Sequence, residues 1–297
     1  MRELKSELCD YAKKIALSES MVDESHFYDF RQNIFGGKMK PEFIKMFMDG
    51  DGNELVSKAC AVHSSSMLGY NFFHWISEEQ PFTYEGIQYT KVLFEVKIRV
   101  LKMKRSPKPA NMDIVLTNDN GDILFIESKF LEYLHSKSFS ISDTYKKIES
   151  YYCSGEKWSI FIKNYNAQKK GQYWDGIKQE ICHLIGLTNW ANGMTIDGLS
   201  SYNDAKDYKF INLVFEPHKN YKDEHESFEN YHKLYLELHT NLKKEKLIPE
   251  KIKMEFKAYS DLWTDIQNCI SSELKDYLHA HYMQFAQLIP DFQGFMI

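Results

Sequence analysis

Residues 111–130, "NMDIVLTNDNGDILFIESKF", constrain the fold more than any other stretch of this chain. Two apolar, β-branched runs flank a turn signal, which predicts a β-hairpin. Both runs are too apolar for a solvated sheet face, yet Asp113 interrupts the first, and Glu127 and Lys129 interrupt the second. Side chains alternate along a strand, so Glu127 and Lys129 share one face and Ser128 takes the other. The turn decides where Asp113 stands. A two-residue turn at Asn120-Gly121 pairs Asp113 with Ser128. A three-residue turn over Asp119-Asn120-Gly121, with Gly121 left-handed, pairs Asn118 with Asp122 and Asp113 with Glu127. We prefer the second register, because a slip of one residue sends every side chain to the opposite face.

Two carboxylates and an ammonium on one face suit a particular chemistry. Opposed carboxylates repel, which raises the affinity for a hard dication that neutralises both. Mg²⁺ takes few carboxylates and keeps several waters, one of which can serve as a nucleophile. A lysine beside it can orient that water and stabilise charge on a phosphate. The plainer reading is an ion pair within a strand, and for a short D…E-x-K pattern it is the commoner one. The apolar flanks "DILFI" shift the balance toward a site.

Around the hairpin, hydrophobic periodicity predicts a helix over 1–20, a longer helix over 53–76 and a strand over 89–103. Helices follow at 143–154 and 173–187, a strand at 209–217 ended by Pro217, a charged helix at 225–246 and a strand at 251–259. Leu262, Ile266, Ile270, Leu274 and Leu278 recur at spacing four, predicting a last helix over 260–278 that opens at Ser260 or Asp261. This order implies an α/β fold, a mixed central sheet flanked by helices. No repeat or Pro/Gly-rich linker divides the chain, so 1–297 reads as one domain with its core at about 51–217.

The five cysteines are scattered, with no C-x-x-C pair, which argues against a disulfide framework or zinc site and for a reducing cytoplasm. The charged start lacks an apolar leader, and no run approaches a membrane span. The net charge of −5 announces no nucleic-acid partner. Locally, however, "KIRVLKMKRSPK" (97–108) carries six basic residues and no acidic one, and it leads into the hairpin. Lys102, Lys104, Arg105 and Lys108 are therefore candidate phosphate contacts. "KNYNAQKKGQYW" (163–174) is a weaker candidate for a second wall.

At "PANMDIVL" and "IESKFLEYL" the chain resembles the PD-(D/E)XK nuclease superfamily, in a branch whose third motif reads E-S-K-F. "HSSSMLGYNFF" (63–73) is similar to that branch's first helix, and "GIKQEICHLIGL" (176–187) to the helix after the hairpin. The proline that precedes the family's aspartate is displaced here to Pro109. The resemblance implies a restriction-endonuclease-like fold and hydrolysis of phosphodiester bonds, in DNA first and RNA second, by metal-activated water. It implies Asp113 and Glu127 as ligands of Mg²⁺ (Mn²⁺ substituting), joined by the Ser128 carbonyl and by Glu54, with Glu95 the alternative to Glu54. Lys129 would position the water. Gln179 is the further catalytic candidate, and His183, one turn away, shares its helix face. No membrane is implied, and a homodimer is compatible. The rival function is a nucleic-acid-binding or assembly module that retains the fold without catalysis.

Overall fold

The computed structural model describes residues 3–15, 21–50, 54–102, 109–134, 141–169 and 175–288. Helices α1 (Leu4–Ile15), α2 (Pro41–Asp49) and α3 (Ser65–Phe73) precede a small hairpin of β1 (Phe82–Tyr84) and β2 (Ile87–Tyr89). Then come β3 (Lys91–Arg99), β4 (Pro109–Thr117) and β5 (Ile123–Lys129), followed by α4 (Gly155–Lys169) and α5 (Asp175–Ala191). The chain continues through β6 (Tyr208–Val214), α6 (Lys222–Lys244), β7 (Ile252–Ala258), α7 (Tyr259–Gln267) and α8 (Ser272–His281). Strands β3 to β7 form one five-stranded sheet in sequence order. β3, β4 and β5 run antiparallel, while β5, β6 and β7 run parallel, joined by the helical crossovers that parallel pairing requires. The expected mixed sheet with flanking helices is thus present.

Each sheet face buries its own core. Leu124 and Ile126 of β5 pack with Phe47, Leu68, Phe72 and Trp263 from the α2, α3 and α7 layer. Ile123 and Phe125 pack with Trp158, Ile181, Leu184 and Tyr231 from the α4, α5 and α6 layer. Alternation in β5 therefore serves two apolar layers, which is why this strand is buried throughout.

Three predicted helices differ. The run 53–76 contains a helix only from Ser65, whose start is capped by the Ser64 hydroxyl accepting from the Met67 N–H. Upstream, Ala61 bridges to His26 and the Asn33 amide donates to the carbonyls of Ala59 and Ala61, so tertiary bonds displace helical ones. Residues 143–154 form two short 3-10 turns, Asp143–Lys146 and Ile148–Ser150, and the real helix begins at Gly155. The last helix divides into α7 and α8 because the Ser271 hydroxyl caps a fresh start at the Leu274 N–H. Asp261 accepts from the Ala258 N–H and fixes the start of α7, as its position in the sequence suggested.

Candidate active site

The hairpin takes the three-residue turn. Ile114 pairs with Ile126 and Thr117 with Ile123, a register that sets Asp113 opposite Glu127. Gly121 has φ +81°, its N–H donates to the Asn118 carbonyl, and the Asn118 amide reaches Asp122. A side chain at that φ would be strained, so glycine belongs there.

On the other side of β4, Phe94 pairs with Ile114 and Val96 with Met112, which leaves Glu95 opposite Asp113. Glu95 is left-handed, with φ +53° inside a strand. Val92 and Phe94 belong to the α2–α3 core, yet Val96 and Ile98, of the same parity, belong to the α5 core. Met112 and Ile114 divide in the same way. Both strands thus exchange faces at the Glu95–Asp113 position. Glu127 pairs with Asn212 of β6, and the registers on either side, continued through the unpaired Glu95 and Asp113, align Glu95, Asp113, Glu127 and Asn212 in one row. Neighbouring strand backbones lie about 4.8 Å apart.

This row lies at a cavity of about 1170 Å³. Asp113, Lys129, Glu95, Glu54, Gln179 and His183 all line it. Glu127 stands behind, 1 % exposed, and its Oε1 accepts from the Lys129 ammonium, itself 3 % exposed. Asp113 Oδ2 accepts from the Ser128 N–H at 2.8 Å. The Ser128 hydroxyl points to the opposite face, bonded to the Ser65 carbonyl at 3.0 Å and the Tyr259 hydroxyl at 2.7 Å, which ties α3 and α7 to β5.

Burial and crowding set the protonation of this group. Burial, then the charge of Glu127, pushes the Asp113 carboxyl well above the usual range. Burial also raises Glu127, against the pull of Lys129. Glu95 is pushed up to about 9 by burial and then by Asp113 and Glu54, with the Asn111 amide opposing at 3.1 Å. For Lys129 burial acts to lower the value, but Glu127 and Asp113 outweigh it, so the ammonium stays charged. A lysine held charged is a donor only.

Glu54 is 5 % exposed, with its oxygens bonded to the Ser66 hydroxyl at 2.5 Å and the Lys58 ammonium at 2.8 Å. It shares the cavity, yet it lies outside the sheet row that Glu95 joins. Gln179 is exposed on α5 at the cavity wall. Lys102 is exposed, its ammonium 5.6 Å above the Tyr152 ring. Lys104, Arg105 and Lys108 lie outside the described residues, as does the end of 163–174.

Two residues of α5 matter more than the sequence suggested. His183, 2 % exposed, donates Nε2–H to the Asn111 carbonyl at 2.9 Å and turns Nδ1 to Glu127 Oε2 at 3.2 Å. Those two atoms are misaligned for a hydrogen bond and both are buried, while the Glu127 carboxyl also meets that of Asp113. Burial, then the Lys129 charge, lowers the imidazole to about 3. Glu180 is fully buried, one oxygen bonded to the Asn212 amide at 3.2 Å, and burial with the Glu127 charge raises its carboxyl well above the usual range. Its place on the stripe Ile177–Glu180–Leu184–Leu187 was the signal that could have found it.

Among the described residues, no three or more His, Cys, Asp and Glu side chains group so as to hold a metal. No helix among them is long and apolar enough to cross a membrane. Compared with known proteins, the chain matches no family model, no curated protein and no solved structure.

Proposed function

We propose that the chain is a metal-dependent nuclease of the PD-(D/E)XK type, with a restriction-endonuclease-like fold, hydrolysing phosphodiester bonds in DNA or RNA. The observation that carries this reading is the row Asp113–Glu127 with Lys129 bonded to Glu127 at a cavity. The unpartnered Oε2 of Glu127 is what a cation site predicts: a buried acceptor waiting for positive charge. Asp113, Glu127 and the Ser128 carbonyl would hold the dication, with Glu95 the acid better placed than Glu54 to join them. When bound, Mg²⁺ or Mn²⁺ supplies Lewis-acid polarisation of the phosphate and a more acidic water. Lys129 would donate to that water or to the phosphate.

Seven carboxylates and four lysines line the cavity among the described residues. With burial pushing Glu95 and Asp113 toward their protonated forms, the remaining carboxylates and the lysines nearly balance before a cation binds. The acids are deep and the space is close to that of a large small-molecule pocket.

The Lys129–Glu127 contact equally supports a structural ion pair. Incubation of single-stranded oligonucleotide, RNA and plasmid with Mg²⁺, with Mn²⁺ and with EDTA separates the readings. The nuclease reading expects dication-dependent cleavage that EDTA abolishes; no cleavage of any substrate, with no dication binding, leaves the ion pair.

A further inference from the structure

The pair His183–Glu127 poses a problem of acceptors. With Nε2–H donated to the Asn111 carbonyl, the neutral imidazole carries a lone pair on Nδ1. Nδ1 lies 3.2 Å from Glu127 Oε2, out of line for a hydrogen bond, and both atoms are buried. Two acceptors do not attract, and burial without a partner is costly for each. Lys129 is spent on the other oxygen, Oε1, and leaves Oε2 open. Two cis donors of an octahedral cation, with bonds of about 2.1 Å, stand about 3 Å apart. The observed separation suits that arrangement, and His183 lines the cavity from which a cation would enter.

We propose that His183 is itself a metal ligand through Nδ1, paired with Glu127 Oε2, and that this imidazole makes the site select Mn²⁺ over Mg²⁺. The proposal rests on the dication reading above and adds to it a nitrogen donor from α5. The Asn111 carbonyl has the second-sphere role, fixing the tautomer that exposes Nδ1. Waters fill the other positions. Mg²⁺ parts with its waters reluctantly. Mn²⁺ is also suited to oxygen donors but is the softer ion of the two, so an imidazole nitrogen improves its binding more than that of Mg²⁺.

The test is metal binding to the full chain, without substrate. Calorimetry should give wild type a tighter Kd for Mn²⁺ than for Mg²⁺. His183→Gln and His183→Ala should weaken Mn²⁺ by about 10- to 100-fold, the range for disturbed metal shells, and change Mg²⁺ by less than about threefold. Metal-free melting of each variant checks folding. A second readout uses wild type alone: electron spin-echo modulation of bound Mn²⁺ should show a directly coordinated nitrogen. If Mn²⁺ binds without that nitrogen signal, or if the Mn²⁺ to Mg²⁺ ratio is the same in wild type and both variants, the histidine ligand is refuted while the carboxylate site stands. If wild type binds neither ion, the dication reading fails and the proposal with it.

Discussion

Glu95 and Asp113 occupy the one unpaired register position between β3 and β4, where both strands exchange the faces of their side chains. A left-handed residue at φ +53° makes the exchange on β3 and brings a third carboxylate into the row of Asp113 and Glu127. Non-glycine residues in that region carry strain, of order 1–3 kcal/mol, that surrounding structure must hold.

That row should make metal-free stability depend on pH. The unfolded chain loses the Glu95 proton near 4.5, while the fold keeps it to about 9. Between those values the unfolded state binds fewer protons, so stability falls as pH rises. His183, depressed from 6.5, works in the opposite direction but only below about pH 7. Melting in EDTA from pH 7 to 9 should therefore show a decline in wild type that Glu95→Gln flattens. An equal decline in both would locate the titration elsewhere.

Lys129 is the nearest cation to a set of buried carboxylates, and its removal should cost folding as well as cleavage. Lys129→Met should lose about 3 kcal/mol in denaturant titrations without metal, since breaking a buried pair strands its partner. Glu127→Gln added to it should recover most of that loss. In cleavage, Lys129→Ala should fall roughly 10²-fold or more while dication affinity holds or rises. Asp113→Ala should lose both. A Lys129→Ala protein that melts and cleaves like wild type would leave this lysine without a role.

Helix α5 is seated on the sheet by Gly186. A Cβ there would stand 2.8 Å from Ile98 Cδ1, so the glycine permits a close approach. Gly186→Ala should destabilise by about 1–2 kcal/mol through overpacking. Ile98→Val removes the nearest contact, Cδ1, and leaves Cγ1 at 3.0 Å, so the double variant should lose somewhat less than the two single variants together. Additive losses, measured by chemical denaturation, would show that the helix is held elsewhere.

Neutralising Lys102, Lys104 and Arg105 together should weaken nucleic-acid binding and reduce the salt slope by about one log-log unit for each phosphate no longer neutralised. Fluorescence anisotropy over a salt series measures this. An unchanged slope assigns the three residues to a solvated surface.

Much of this was legible in the chain itself. Strand parity placed Glu127 and Lys129 on one face, and Asp119-Asn120-Gly121 held enough local turn chemistry to select the register that brings Asp113 opposite Glu127. These features depend on neighbours in sequence, so local rules reach them. Glu95 escaped because strand alternation assumes an unbroken backbone, and one left-handed φ reverses its phase. The run 53–76 misled because bonds from Asn33 and His26 compete with the helix from far along the chain. His183 and Glu180 lie on an apolar helix stripe, where periodicity says only that they are buried. Which buried groups they meet was settled when α5 packed across β4, bringing His183 to Glu127 and Glu180 to Asn212. Alternation and turn geometry are short-range and written in the sequence. The meeting of acids and imidazole is long-range, and only close packing of helix on sheet decides it.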